Sequence, residues 1–288
     1  MVNFKELKQS ADSDKLSQAL EKINNPQQDK ITDDRFWKPT TDDAGNGYAV
    51  IRFLPAPAVD GDDALPWVRY WDHFFKGTSG LVYSENSLTT IGKTDPVGEE
   101  NSRLWNTGLE SDKDIARDRK RRLNYVVNIY VVEDKAAPEN EGKVFLYRFG
   151  KKIMDKINEA MNPQFADEAP MNPFNLWKGA NFKLKIRMVK EFRNYDSSSF
   201  ATSAPLLSDD DAMEKIWKSE YSLNEFSSPA NFKSYDELKA RFLAVIGDGN
   251  SSAAAVDDDI PFDVTPAKKS VDVDDEGLDF FKKLAEED

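Results

Sequence analysis

Arg117-Asp118-Arg119-Lys120-Arg121-Arg122 runs straight into Leu123-Asn124-Tyr125-Val126-Val127-Asn128-Ile129-Tyr130-Val131-Val132, and this junction decides the fold. A polar turn, Glu133 to Gly142, leads to Lys143-Val144-Phe145-Leu146-Tyr147-Arg148-Phe149. Gly150 breaks the pattern, and Lys151-Lys152 open a stretch with Ile153, Ile157 and Met161 at helical spacing. The order reads strand, turn, strand, helix. The first strand is apolar at nearly every position, so it should be buried on both faces. The second alternates, Val144 and Leu146 on one side, Phe145, Tyr147 and Phe149 on the other. Between Arg117 and Lys152, ten Lys/Arg stand against five Asp/Glu, a net of +5 inside a chain of net −13. Cations neutralise phosphates, and aromatic rings give bases a stacking surface. A basic, aromatic segment in an acidic chain therefore points to a localised polyanion site. The same residues also fit a strand pair with solvated lysines and core tyrosines, because a charge run is commonly a solvated face.

Outward from this stretch, the chain supplies more strands than helices. Tyr48 to Leu54 alternates and is stopped by Pro55 and Pro57. Trp67 to Phe75 reads as another strand, and Leu81 to Gly108, rich in Gly, Ser, Thr and Asn, as irregular. Ala180 to Val189 alternates strictly. Phe182, Leu184, Ile186 and Met188 point one way; Lys183, Lys185 and Arg187 form a cationic outer face. Phe192-Arg193-Asn194-Tyr195 adds two rings and a cation. Asp211 to Tyr221 and Tyr235 to Ile246 read as helices, the second ending at Gly247. Residues 3–24 read as one or two short helices before a polar linker. The class is mainly β with added helices (α+β).

Residues 257–288 hold twelve Asp/Glu and four Lys, net −8 of the chain's −13, which leaves −5 on the rest. That composition predicts a disordered acidic tail. Its amphipathic tip, with Leu278, Phe280, Phe281 and Leu284, reads as a partner-docking peptide or as a solubilising end.

The 288 residues are 39% apolar and 11% aromatic, enough for a real core. No apolar run is long enough to span a bilayer. The N-terminus lacks the apolar centre of a signal peptide, so the cytoplasm is the default compartment. There is no cysteine and one histidine, His73, so disulfides and thiolate metal sites are excluded, and a His-dependent triad would hang on one residue. No phosphate loop, GxGxxG or spaced carboxylate set supports an enzyme. Asp209-Asp210-Asp211 reads as a helix cap.

Four blocks, in order, resemble the single-stranded DNA-binding (helix-destabilising) protein family of T-even-type bacteriophages. They are Asp43 to Gly47 with Ala49 to Pro55; Ala136 to Phe145; Tyr147 to Ile153; and Gly179 to Phe182 with Phe192 and Asn194-Tyr195-Asp196. The resemblance implies an OB-fold core over residues 35–247, with residues 81–116 as an insertion in place of the family's zinc subdomain. It implies an N-terminal self-association segment (1–34) and an acidic partner-binding tail (248–288). It further implies cooperative, sequence-tolerant coating of single strands in replication, recombination and repair, in the cytoplasm of the infected bacterial host.

The family's cleft aromatics fall on Tyr125, Tyr147, Phe192 and Tyr195, with Trp105 in place of a tyrosine. Its basic triplet falls on Lys120, Arg121 and Arg122. Neighbouring cations Arg119, Arg148, Lys151, Lys152, Lys183, Lys185 and Arg193 complete the candidate DNA-binding set. Partners implied are single-stranded DNA, the protein itself, and phage polymerase, helicase-loading and recombination proteins through the tail; no membrane is expected. Two departures stand out. Of the family's one His and three Cys, only His73 is matched; Asp95-Pro96-Val97-Gly98 replaces the Cys-x-x-Cys pair, so no zinc and no cofactor is expected. Burial of Leu81, Val82, Tyr83, Leu88, Ile91 and Val97 would then hold that subdomain. The N-terminal basic cluster is diluted to Lys5 and Lys8 around Glu6. A competing reading is a protein-interaction hub on the same scaffold with weak nucleic-acid binding. Oligonucleotide binding at two salt concentrations separates the two.

Overall fold

The junction becomes strand β4, Arg122–Glu133, in a computed structural model that describes residues 33–247 except Ala166 and Glu191. The expectations for Lys5 and Lys8, and for the tail with Leu278, Phe280, Phe281 and Leu284, fall outside the described residues. Twelve residues let β4 take three antiparallel partners. Its first part pairs with β2, Val68–Lys76, from Asp72↔Arg122 to Val68↔Val126. Its middle pairs with β5, Val144–Phe149, from Tyr125↔Phe149 to Tyr130↔Val144. Its end pairs with β1, Gly47–Phe53. On the other side of β1 runs β6, Phe182–Val189, which carries the short β7, Phe192–Asn194, and β8, Ser199–Phe200. Strand β3, Val82–Asn86, closes the far edge on β2. The order β3-β2-β4-β1-β6-β7 curls into a half-barrel.

The barrel core follows from the alternation. Ile51 and Phe53, Val127 and Ile129, Phe182 and Leu184 all point inward and are fully buried. Helix α3, Lys151–Met161, adds Ile153, Met154 and Ile157. Phe53 is the centre, with the rings of Phe149, Phe174, Phe182 and Phe200 at 5.5–6.1 Å. The expectation that β4 is covered on both faces holds: Val126, Val127, Asn128 and Ile129 are all inaccessible. Asn128 tolerates this because its amide donates to Tyr221 O (2.8 Å) and accepts from Tyr221 N (3.0 Å).

Strand β1 departs from simple alternation. Its outward side is roofed by Leu176 and by Met213 of helix α4, Asp210–Lys218, so Leu54 and Arg52 are buried too. The Arg52 guanidinium donates to the carbonyls of Asn175 (3.0 Å), Leu176 (3.2 Å) and Ala204 (2.8 Å), tying two loops across the sheet. Burial lowers its pKa to about 10.

Leu81 to Gly108, expected to be irregular from its composition, instead holds a strand and a helix, and a second helix follows. These are β3, helix α1 (Pro96–Asn106) and helix α2 (Glu110–Asp118), so the basic run starts on a helix. Beyond its first residue helix α1 buries Val97, Asn101 and Leu104 at helical spacing, with a polar side chain in the middle, and α2 buries only Ala116. The legible signal was the cap: Asp95 accepts from the Val97 and Gly98 amides ahead of Pro96. Helix α5, Tyr235–Ile246, completes this layer by packing Phe242 and Val245 on Phe75, Tyr83 and Val97. Of the residues expected to hold it by burial, Tyr83, Leu88 and Val97 do; Leu81 is exposed, and Val82 and Ile91 are half-buried. The end of α5 rests on the β2–β3 turn, where Ser79 donates to Val245 O (2.6 Å) and a Cβ on Gly77 would meet that same oxygen.

Glu220 is 7% exposed, and neither carboxyl oxygen meets a hydrogen-bond donor. Burial, with Asp60 as the second cause, pushes its pKa up to about 9. A raised folded-state pKa means the folded chain holds a proton that the unfolded chain releases. The stabilisation is complete below the ordinary glutamate range and is lost as pH rises towards 9. Urea unfolding should therefore show stability falling across that window, and Glu220→Gln should flatten the fall.

Candidate nucleic-acid interface

The rings and cations that neighbour one another in sequence part to opposite sides of the sheet. Tyr125 pairs with Phe149, its ring stacked on it at 5.9 Å and 18°, and both face the barrel core. Val126 pairs with Arg148, and both turn to the other side with Tyr70 and Leu146. Period-two geometry enforces this separation.

Tyr147 is a core residue, which corrects its place among the stacking rings. It is 3% exposed, edge-on to Trp37 at 5.2 Å and 5.4 Å from Phe149. Burial pushes its phenol pKa well up; Tyr195 raises it further and Arg193 opposes. Tyr195 packs, partly buried, against the same core cluster. At the rim, Tyr125, Tyr195, Trp67 and Phe200 are only partly buried against the core. Cations gather at the same rim. Lys152, Lys156 and Arg187 act together to lower the Asp196 pKa, after its leading cause, the Asn194 amide. Lys156 Nζ also donates to Asp196 O (3.1 Å). Lys151 and Lys152 form the first turn of α3, Phe192 is half-buried, and Arg193 is exposed. Lys183 and Lys185 are exposed on β6 as the alternation required, with Tyr48 directly opposite Lys185 and 41% exposed.

The arginines of the basic run form a second group, laid over rings. Arg119 lies over Phe75 (5.6 Å) and Phe242 (5.5 Å), Arg121 over Trp71 (4.2 Å) and Arg122 over Phe74 (4.8 Å). Trp105 is half-buried under Arg117 (5.3 Å) and Lys113 (5.7 Å), and Lys120 is half-buried. Such stacking fixes the guanidinium planes over the rings. Arg122 departs from the triplet. It makes a bidentate pair with Asp72 (3.0 and 2.7 Å), and Asn124 donates to the same carboxylate (3.0 Å). Its charge is met within the protein. Arg148 is likewise turned to Tyr70, whose hydroxyl it reaches at 3.4 Å. Trp71, Phe74 and Tyr48 carry no local signal of a site in the sequence; the phase of their strands puts each beside a cation.

A family model described as "gp32 DNA binding protein like" matches residues 45–246. The chain is 39% identical over 264 residues to the single-stranded DNA-binding protein of Enterobacteria phage T2, covering 88% of this chain and 82% of that one. It is 37% identical over 285 residues to the single-stranded DNA-binding protein of Enterobacteria phage T4, covering 95% and 89%.

Alanine at the two tyrosines should separate core from rim. Tyr147→Ala should cost about 3–5 kcal/mol of stability, as other large aromatic truncations do. Tyr195→Ala should fold normally and lose on the order of 1–3 kcal/mol of single-strand affinity, the typical worth of one stacked base. Thermal melts and fluorescence anisotropy with a labelled oligonucleotide read the two effects.

Proposed function

The chain belongs to the gp32-like DNA-binding family, and on that premise we propose that it coats single-stranded DNA with little regard to sequence, as a binder and not an enzyme. The observation that carries this reading is the rim of the half-barrel. There Tyr125 and Tyr195 are only partly buried against the core, and around Tyr195 Arg193 is exposed, Arg187 pairs with Asn194 and Lys156 donates to the Asp196 carbonyl. Rings that accept any base and cations that track a backbone need no base-edge code. The strand order supports an OB-fold for the core: β1 pairs with both β4 and β6, β5 pairs with β4, and α3 lies between β5 and β6. Bases stack on Tyr125, Tyr195 and Phe192, while Lys151, Lys152, Lys183, Lys185 and Arg193 follow the phosphates. Lys120, Arg121 and the rings beneath the run extend the path over the second layer. In this reading the protein works in the cytoplasm of the infected bacterium, in replication, recombination and repair. Its N-terminal segment joins neighbours along the strand. Its acidic tail docks polymerase, helicase-loading and recombination proteins through Leu278, Phe280, Phe281 and Leu284.

The charge split gives the tail a second role, as a competitor for the basic surface. A tethered anion acts at a local concentration on the order of millimolar for a short linker, and its effect is greatest where screening is poor.

Replacing Lys183, Lys185 and Arg193 with Ala should flatten the dependence of log affinity on log salt by about 0.7 for each phosphate no longer neutralised, equally for all base sequences. An unchanged slope would return these cations to a solvated face. Cutting the chain after Ala255 should raise single-strand affinity most at low ionic strength and abolish binding of partner proteins. Equal affinity of full-length and cut chains at low salt would end the competition idea.

A further inference from the structure

Two buried side chains from different elements converge on one backbone carbonyl at the head of the basic run. His73 of β2 is 2% exposed, and its Nδ1 lies 2.8 Å from the Arg119 carbonyl oxygen. A carbonyl only accepts, so Nδ1 carries the proton and donates. Asn101 of α1, also 2% exposed, donates to the same oxygen at 3.2 Å. The other ring nitrogen of His73 lies 3.2 Å from Asp95 Oδ1 and makes no hydrogen bond. Asp95 is itself 3% exposed and saturated with donors. Oδ1 takes the Val97 and Gly98 amides (3.0 and 3.1 Å), and Oδ2 takes Ser87 Oγ and the Leu88 amide (3.0 and 3.1 Å).

This donor set does not fit zinc. His73 and Asp95 are two ligands where a closed site needs four, and the carboxylate lone pairs are already engaged. Among the described residues no group of three or more His, Cys, Asp or Glu could hold a metal.

We propose that the buried His73–Asp95–Ser87 cluster acts in place of a metal as a positioning device, fixing the Arg119 carbonyl and so aiming Lys120 and Arg121 at DNA phosphates. The proposal rests on the single-strand-binding reading. The reason for a fixed point is geometric. Arg119 ends α2, and three residues later the chain is locked into β4 by the Asp72↔Arg122 pair. The Lys120–Arg121 segment spans those two anchors, and Arg121 is also set down on Trp71. If the first anchor slips, the segment's cations no longer hold one register against a phosphate backbone.

Three variants of the full-length chain test this, together with metal analysis. His73→Leu removes the donor to Arg119. His73→Asn places an amide nitrogen near the position of Nδ1 and restores it. Asn101→Ala removes only the second donor and keeps the test open if His73→Leu does not fold. Binding to a labelled oligonucleotide is measured well below each melting temperature over a range of salt. His73→Leu and Asn101→Ala should each lose about three- to tenfold in affinity, with a shallower salt slope, and His73→Asn should recover wild-type slope. Melting temperatures that fall while affinity and slope stay at wild type would overturn the proposal, leaving the cluster a structural one. Stoichiometric zinc in the purified chain, or a chelator that lowers affinity, would overturn it as well. Failure of the wild-type chain to bind the oligonucleotide would instead remove the single-strand reading on which the proposal stands.

Discussion

Strand β4 has to satisfy its backbone along twelve residues with three different neighbours, and the molecule is arranged around that requirement. A strand buried on both faces has no water to accept its amides, so every stretch of it needs a partner. β2 meets this need at one end and β1 at the other, with β5 alongside the middle. The β3–β2 end of the curled sheet, covered by α1 and α5, and its β1–β6 end therefore meet at one strand. The basic run lies at the point where that strand enters the sheet.

The sharing also sets the electrostatics. Side chains of β4 point alternately into the barrel and to the opposite face, where Val126 meets Tyr70, Leu146 and Leu223. Tyr125 and Arg122 thus serve opposite surfaces although they are three residues apart. The arginines at the strand's head lie over Trp71, Phe74 and Phe75 because β2 is the strand beside them. A cation held over a ring is desolvated on one face and held in one plane. A cation paired bidentately with a carboxylate, as Arg122 is with Asp72, has spent its donor edge.

The second layer shows how a small subdomain can hold together with neither thiolates nor a large core. Apolar burial there is modest: Phe75, Tyr83 and Val97 under Phe242 and Val245. What fixes its geometry is directional. Asp95 caps a helix and faces His73, and His73 and Asn101 hold one carbonyl. Hydrogen bonds in a buried setting specify arrangement more than they add net stability, because leaving any one of them unmade is costly.

The sequence by itself determined the strands whose burial is one-sided or complete. β5 and β6 show in their alternation, β4 in its unbroken apolar run, and α3 and α5 in their spacing. It also determined the charge separation between core and tail, and the family through long ordered blocks. Tertiary structure alone decided the rest. Alternation shows that Phe145, Tyr147 and Phe149 share a face, but not that Trp37 closes over Tyr147 while Tyr125 and Tyr195 stay at the rim. Charge counting finds the basic run, but not that Asp72, fifty residues away, takes Arg122. Helix α1 escaped because its Gly, Ser and Asn content reads as loop and its inward Asn101 breaks the apolar spacing, and α2 because it buries only Ala116. In each case the deciding partner is distant in the chain, and local periodicity carries no information about which distant surface a side chain meets.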